Sequence, residues 1–155
     1  MGTVIGVAEF LRKVTQLKKK EDKIAALKHN DSYVLKTTLQ GVFDPRVKWL
    51  LPEGPVPYTP NKLVDQENVY LRDCRLLKHF VEGGSPGLTQ IKRETMFIQF
   101  LDNIAPADAE MVVAMKEKKL PWKGITEEMV REAFPGLLPD EIKEKPVALN
   151  EQEQT

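Results

Sequence analysis

Apolar residues recur along this chain at helical spacing. Val4, Val7, Leu11, Val14 and Leu17 fall on one face of a first helix, with Phe10 beside it, because positions three and four apart share a side of an α-helix. The lysine run 18–20 closes that helix and leads into a second, polar one carrying Ile24 and Leu27. Asn30 or Asp31 can cap a third, whose stripe is Val34, Leu35, Leu39 and Val42. Prolines at 45, 52, 55, 57 and 60 then break the period and predict an extended connection. Helical spacing returns from Val64 to Val81, with Val69, Leu76, Leu77 and Phe80 available for burial, and the glycines of "EGGSPG" end it. Thr89 caps the next helix, with Ile91, Met96, Ile98 and Leu101 facing inward. Pro106 opens another that has an acidic first turn and a lysine-rich last turn, matching the helix dipole. Thr126 caps the last, with Glu127 and Glu128 in its first turn.

No run of strand-like alternation competes with these helices, and no segment repeats. The expected fold is all-α: a single irregular multi-helix domain of about seven helices. It spans residues 1–139 with a Pro-rich connection inside it, and an acidic, polar tail follows over 140–155. A chain of 155 residues can bury a core without disulfides or metals. Lys and Arg equal Asp and Glu at 23 each, which argues against a strongly basic nucleic-acid binder and leaves local patches to supply any such affinity. Most of the positive excess precedes residue 60. Cys74 is the single cysteine, which excludes an internal disulfide and multi-cysteine zinc motifs and points to a reducing cytoplasm. No apolar run approaches the roughly 18 residues of a membrane span, and no membrane contact is expected.

Catalytic chemistry finds little footing. His29 and His79 lack partners at metal-ligand spacing, so His79 reads as a helix histidine and no metal site is expected. Arg72 and Arg75 flank Cys74, which nonetheless reads as small apolar packing. Neither a phosphate-loop nor a dinucleotide signature occurs. The expectation is a non-enzymatic protein without cofactors.

Binding has more support. "KEKKLPWKGIT" gathers Lys116, Lys118, Lys119 and Lys123 around a turn, with Gly124 just ahead of the Thr126 cap. A helix start offers free backbone N–H groups, glycine permits close approach, and lysines release counterions from nucleic acid. The same residues also read as an ordinary lysine-rich helix end and turn, with Trp122 packing. "GGSPGLTQIK" repeats the logic with less charge, through Gly87, Thr89 and Lys92. "KKKEDK" reads as a solvated helix junction, with phosphate contact as the lesser alternative, and Trp49 as core rather than a base-stacking platform.

The order of segments resembles the N-terminal DNA-binding domain of ATP-dependent DNA ligases of the T-even-phage type. The resemblance runs from "FLRKVTQLKKKEDKIAALKHNDSYVLKTTLQGVFDPRVKWLLP" through "GLTQIKRETMFIQFLDNI" to "KLPWKGITEEMVREAFPGLLP". Leu120, Gly124, Thr126, Phe134, Pro135, Gly136 and Leu137 occupy the family's closing pattern. The resemblance implies an all-helical module that meets the backbone of nicked duplex in the minor groove through helix-start loops. Carried over, Lys119, Lys123, Gly124 and Thr126 form one set of contacts, and Gly87, Thr89 and Lys92 the other; Lys118 joins the first set as a nucleic-acid contact from the lysine cluster alone. The implied protein is a stand-alone, non-catalytic phage accessory in replication, repair or recombination, acting in the host cytoplasm. The Lys-x-Asp-Gly motif of the ligase nucleotidyltransferase is absent from the sequence, so ligation is not implied. Pro121 and Trp122 stand where the family carries a basic or polar pair. They open the alternative of an adaptor for a phage or host replication or transcription protein.

Overall fold

The computed structural model describes residues 6–63 and 67–139. Among them the fold is all-α, with no strand. Seven α-helices follow in order: α1 (Val7–Thr15), α2 (Lys20–His29), α3 (Tyr33–Phe43), α4 (Glu67–Asp73), α5 (Gln90–Asn103), α6 (Pro106–Lys116) and α7 (Glu127–Ala133). A 3-10 helix (Cys74–Phe80) continues α4 where the spacing predicts one helix from Val64 to Val81. Val4, Val64 and the tail lie outside the described residues.

The core forms where the apolar stripes meet. α1 contributes Val7, Leu11 and Val14, α3 Leu35, Leu39 and Val42, and α6 Ala109, Met111, Val112 and Met115. Leu17 falls beyond the end of α1 and is exposed. Phe80 packs edge-on against Phe97, with ring centroids 5.0 Å apart, and tilted against Phe100 at 5.9 Å; such arrangements suit the ring quadrupoles. Tyr70 is fully buried and hydrogen-bonds the Thr38 hydroxyl at 2.6 Å, while Thr38 donates to Val34 O at 2.8 Å. Burial drives the Tyr70 phenol far above its ordinary pKa, and the Thr38 bond offsets this only in part. A buried hydroxyl is tolerated because it is bonded.

Two local expectations change. Ser32, not Asn30 or Asp31, caps α3, accepting from Leu35 N at 3.2 Å. On α5, Ile91 is 81% exposed, Met96 and Ile98 are half-buried, and the inward face is Arg93, Phe97, Phe100 and Leu101. Arg93 replaces an apolar residue there because the chain supplies acceptors: His79 O at 3.0 Å, Gln90 Oε1 at 2.7 Å, Leu88 O at 3.4 Å and Ser85 O at 3.5 Å. A buried guanidinium needs such partners.

Long-range polar contacts fix the rest. Ala105, at the start of α6, has no capping side chain. Asp108, in the first turn of that helix, instead accepts from Ala8 N at the start of α1 at 3.0 Å. One buried carboxylate thus serves the positive ends of two helices. The Pro-rich segment is extended as its prolines require. It makes one antiparallel bridge, Trp49 with Val81, and Lys116 pins it by donating to Pro52 O and Gly54 O, both at 2.8 Å. Lys116 therefore belongs to the interior rather than to a solvated helix end.

Candidate nucleic-acid interface

The loop from Glu117 to Thr126 leaves α6, turns back over the α1–α2 junction and enters α7, which packs along α2. Its residues divide into those that hold the loop and those that face water.

Lys118 is a holding residue, which corrects its assignment as a phosphate contact. Its backbone is left-handed (φ 61°). Its ammonium donates to Gly41 O at 3.0 Å, Asp44 O at 2.7 Å and Val47 O at 3.0 Å. Lysine has three N–H donors, and all are committed. Burial pushes the ammonium pKa below its ordinary value, with the charge of Asp44 pulling the other way. The site suits a cation nonetheless, because Gly41 and Asp44 close α3 and carry the negative end of its dipole.

Gly124 is also turned inward. Its φ of 118° is one that side chains rarely adopt. A Cβ there would lie 3.2 Å from both Lys23 Nζ and Thr15 Cβ, and Gly124 O accepts from Lys23 Nζ at 3.0 Å. The glycine is needed for close approach, but by α1 and α2 rather than by a ligand. Thr126 caps α7 by accepting from Met129 N at 3.3 Å. An anion at that helix start would face Glu127 and Glu128, so the α7 terminus is a poor phosphate cradle. Glu127 pairs with Arg131 at 2.6 Å and Glu128 with Lys20 at 2.9 Å.

Lys119 and Lys123 are exposed and make no ion pair within 4 Å among the described residues. Lys18 and Lys19 have the same character. The Gly124 contacts with Thr15 and Lys23 bring the end of the loop against the turn that carries those lysines. Two basic segments about a hundred positions apart in sequence thus meet at one end of the molecule. Trp122 is half-buried, packs against the core, and borders an open cleft with Ala8, Glu9 and Arg12. Pro121 is exposed.

The second loop is built around Arg93, whose bonds to Ser85, Leu88 and His79 carbonyls organise it. Gly84 is the tight position, since a Cβ would lie 1.8 Å from Lys78 O. Gly87 has open space around it. Thr89 caps α5 by accepting from Lys92 N at 3.3 Å, and Lys92 is exposed. The segment through Val47 and Lys48 lies between the two loops and bonds to both: Val47 O accepts from Lys118, and Lys48 O from Glu82 N at 2.8 Å.

The remaining chemical candidates are packed. Cys74 is buried, and burial, the leading influence, raises its thiol pKa. His79 hydrogen-bonds Ser85 Oγ at 2.6 Å. Among the described residues no group of three or more His, Cys, Asp or Glu could hold a metal ion, and no helix is long and apolar enough to cross a membrane. Sequence reasoning missed Lys23 and Arg93. The signal for Arg93 was the stripe Phe97, Phe100, Leu101 and Ile104, whose period runs back through position 93 rather than 91.

No curated protein and no solved structure matches the chain. A family model does match, over residues 10–121, which covers the first helices, the Pro-rich segment, α5, α6 and the loop as far as Pro121. The chain therefore belongs to DUF6433, a family of unknown function.

Proposed function

We propose that the chain is a non-catalytic nucleic-acid-binding protein that holds the phosphate backbone of duplex DNA on the lysines gathered around the α1–α2 turn and the closing loop. The observation that carries the reading is the seating of Gly124 on Thr15 and Lys23, which sets Lys123 beside the turn bearing Lys18 and Lys19. Uncommitted lysines grouped on one surface attract phosphates without reading sequence. The resemblance of segment order to ligase DNA-binding domains points the same way. Gly87, Thr89 and Lys92 are the secondary contact in this reading, and an accessory role in phage DNA transactions is its biological setting. The adaptor alternative draws less support, because Trp122 is partly consumed by packing.

The test is fluorescence anisotropy with labelled nicked and intact duplex across a salt series. Each phosphate contact contributes a slope of about −0.9 in log K against log salt, so three contacts lose about 40-fold between 50 and 200 mM. Lys18→Glu, Lys19→Glu and Lys123→Glu together should flatten the slope and weaken binding at least tenfold. Absence of binding at 50 mM salt, or binding unchanged in the triple variant, overturns the proposal.

A further inference from the structure

A cleft of about 280 Å³ opens between α3 and the 3-10 helix. Its walls include Tyr33, Thr37 and Gln40 from α3, Trp49 from the Pro-rich segment, and Arg75 and Lys78 from the 3-10 helix. The volume falls just short of about 300 Å³, at which small-ligand sites begin.

The chemistry of these walls is divided. Tyr33 is 67% exposed although it is a large aromatic residue. Trp49 is half-buried, and its Nε1–H donates to Gly41 O at 3.0 Å, which fixes the ring in the wall. Arg75 and Lys78 are exposed, three residues apart in a 3-10 helix, a geometry that eclipses side chains at that spacing. Neither makes a hydrogen bond or ion pair among the described residues, and Asp73, the carboxylate nearest in sequence, is already held by Arg72 at 2.8 Å. Two like charges set one above the other repel, and an anion placed between them relieves that cost. The Thr37 hydroxyl has no intramolecular hydrogen bond among the described residues, and Gln40 uses its amide N–H groups on Asp44 and Leu137 O, leaving its carbonyl oxygen as an acceptor.

We propose that this cleft binds a single nucleotide unit, with the base against Tyr33 and Trp49 and the phosphate on Arg75 and Lys78. Aromatic faces stack any base, and a guanidinium grips phosphate in a forked geometry. Thr37 and Gln40 provide a donor and an acceptor for base edges. The unit has two sources, a free mononucleotide or the exposed end of a single strand, and the cleft volume admits one such unit. None of Lys18, Lys19, Lys119 and Lys123 lines the cleft.

Trp49 serves as the reporter. In full-length Trp122→Phe protein it is the single tryptophan, and its emission is followed while thymidine, inorganic phosphate, thymidine 5′-monophosphate or a short oligothymidylate is added. Saturable quenching by the monophosphate or by the oligothymidylate is expected, at least tenfold weaker in Arg75→Glu with Lys78→Glu. The more tightly bound of those two identifies the source. Lys19→Glu with Lys123→Glu should leave quenching by thymidine 5′-monophosphate unchanged, which separates failure here from failure of the duplex site. Far-UV circular dichroism and thermal melting should report an unaltered fold in the Arg75 and Lys78 variant, whose side chains make no internal bonds. The proposal is overturned if no ligand gives saturable quenching at millimolar concentration. It is equally overturned if inorganic phosphate alone matches the monophosphate, or if the charge-reversed variant responds as the parent does.

Discussion

Replacing Lys118 by Met separates holding from binding more sharply than any other single change in the loop. The substitution keeps most of the stem but removes an ammonium that donates to Gly41 O, Asp44 O and Val47 O. Hydrogen bonds with a charged partner contribute about 1.5–3 kcal/mol each in buried settings. Much of the residue is exposed, so water can reach the abandoned carbonyls and the bonds are not additive. The expected net loss is about 2 kcal/mol, which for a domain of this size lowers Tm by about 4–8 °C. Lys118→Gly loses the same bonds but relieves a left-handed backbone that costs a side-chain residue about 1 kcal/mol, so it should melt between Lys118→Met and the parent. Thermal melts followed by circular dichroism measure both variants, and duplex affinity measured well below either Tm should match the parent within about twofold. The reasoning is refuted if Lys118→Met melts within about 1 °C of the parent while DNA binding falls as far as it does in Lys123→Glu.

Other perturbations probe the same scaffold. Asp108→Ala should cost about 1–3 kcal/mol, the usual price of stranding a buried amide, because Ala8 N loses its acceptor; chemical denaturation reads the loss. Gly84→Ala should destabilise strongly or prevent folding, since its Cβ would fall 1.8 Å from Lys78 O. Gly87→Ala has open space and should leave Tm unchanged, so a fall in its DNA affinity would mark that loop as a true contact. Lys116, followed by the Gly54 amide, holds the Glu117 carboxyl below its ordinary pKa of 4.5. A depressed carboxylate stabilises the fold above its unfolded pKa and loses that contribution as pH falls through the folded one. The stability difference between the parent and Glu117→Gln should therefore be present at pH 7 and vanish in the acid range; a difference constant with pH contradicts the pairing.

Legibility in the sequence followed the range of the interaction. Thr89, Thr126 and Pro106 could be read as helix starts because caps and first-turn prolines act on neighbours three residues away. The stripes of α1 and α3 were legible because the core face of α1 is wholly apolar and that of α3 is apolar except for Thr38. Arg93 and Lys116 were not, because their acceptors come from segments that only the fold delivers: carbonyls at 79, 85 and 88 for the first, and at 52 and 54 for the second. Lys118 failed for the same reason. A cluster of lysines in sequence is one motif, yet its members went to opposite fates according to which carbonyls lay within reach. The meeting of residues 18–23 with 119–124 was equally hidden, since it depends on α7 packing along α2.

The central claim is that uncommitted lysines, and not the start of α7, meet a polyanion. The most direct measurement is the salt-dependent anisotropy of labelled duplex with the parent, Lys19→Glu with Lys123→Glu, and Glu127→Gln with Glu128→Gln. The account predicts that the lysine pair weakens binding and lowers the salt slope by about two contacts' worth, or about 1.8. The glutamine pair, at the helix start, should strengthen binding less than threefold. Lysine variants that bind like the parent, with a large gain on neutralising Glu127 and Glu128, would contradict it.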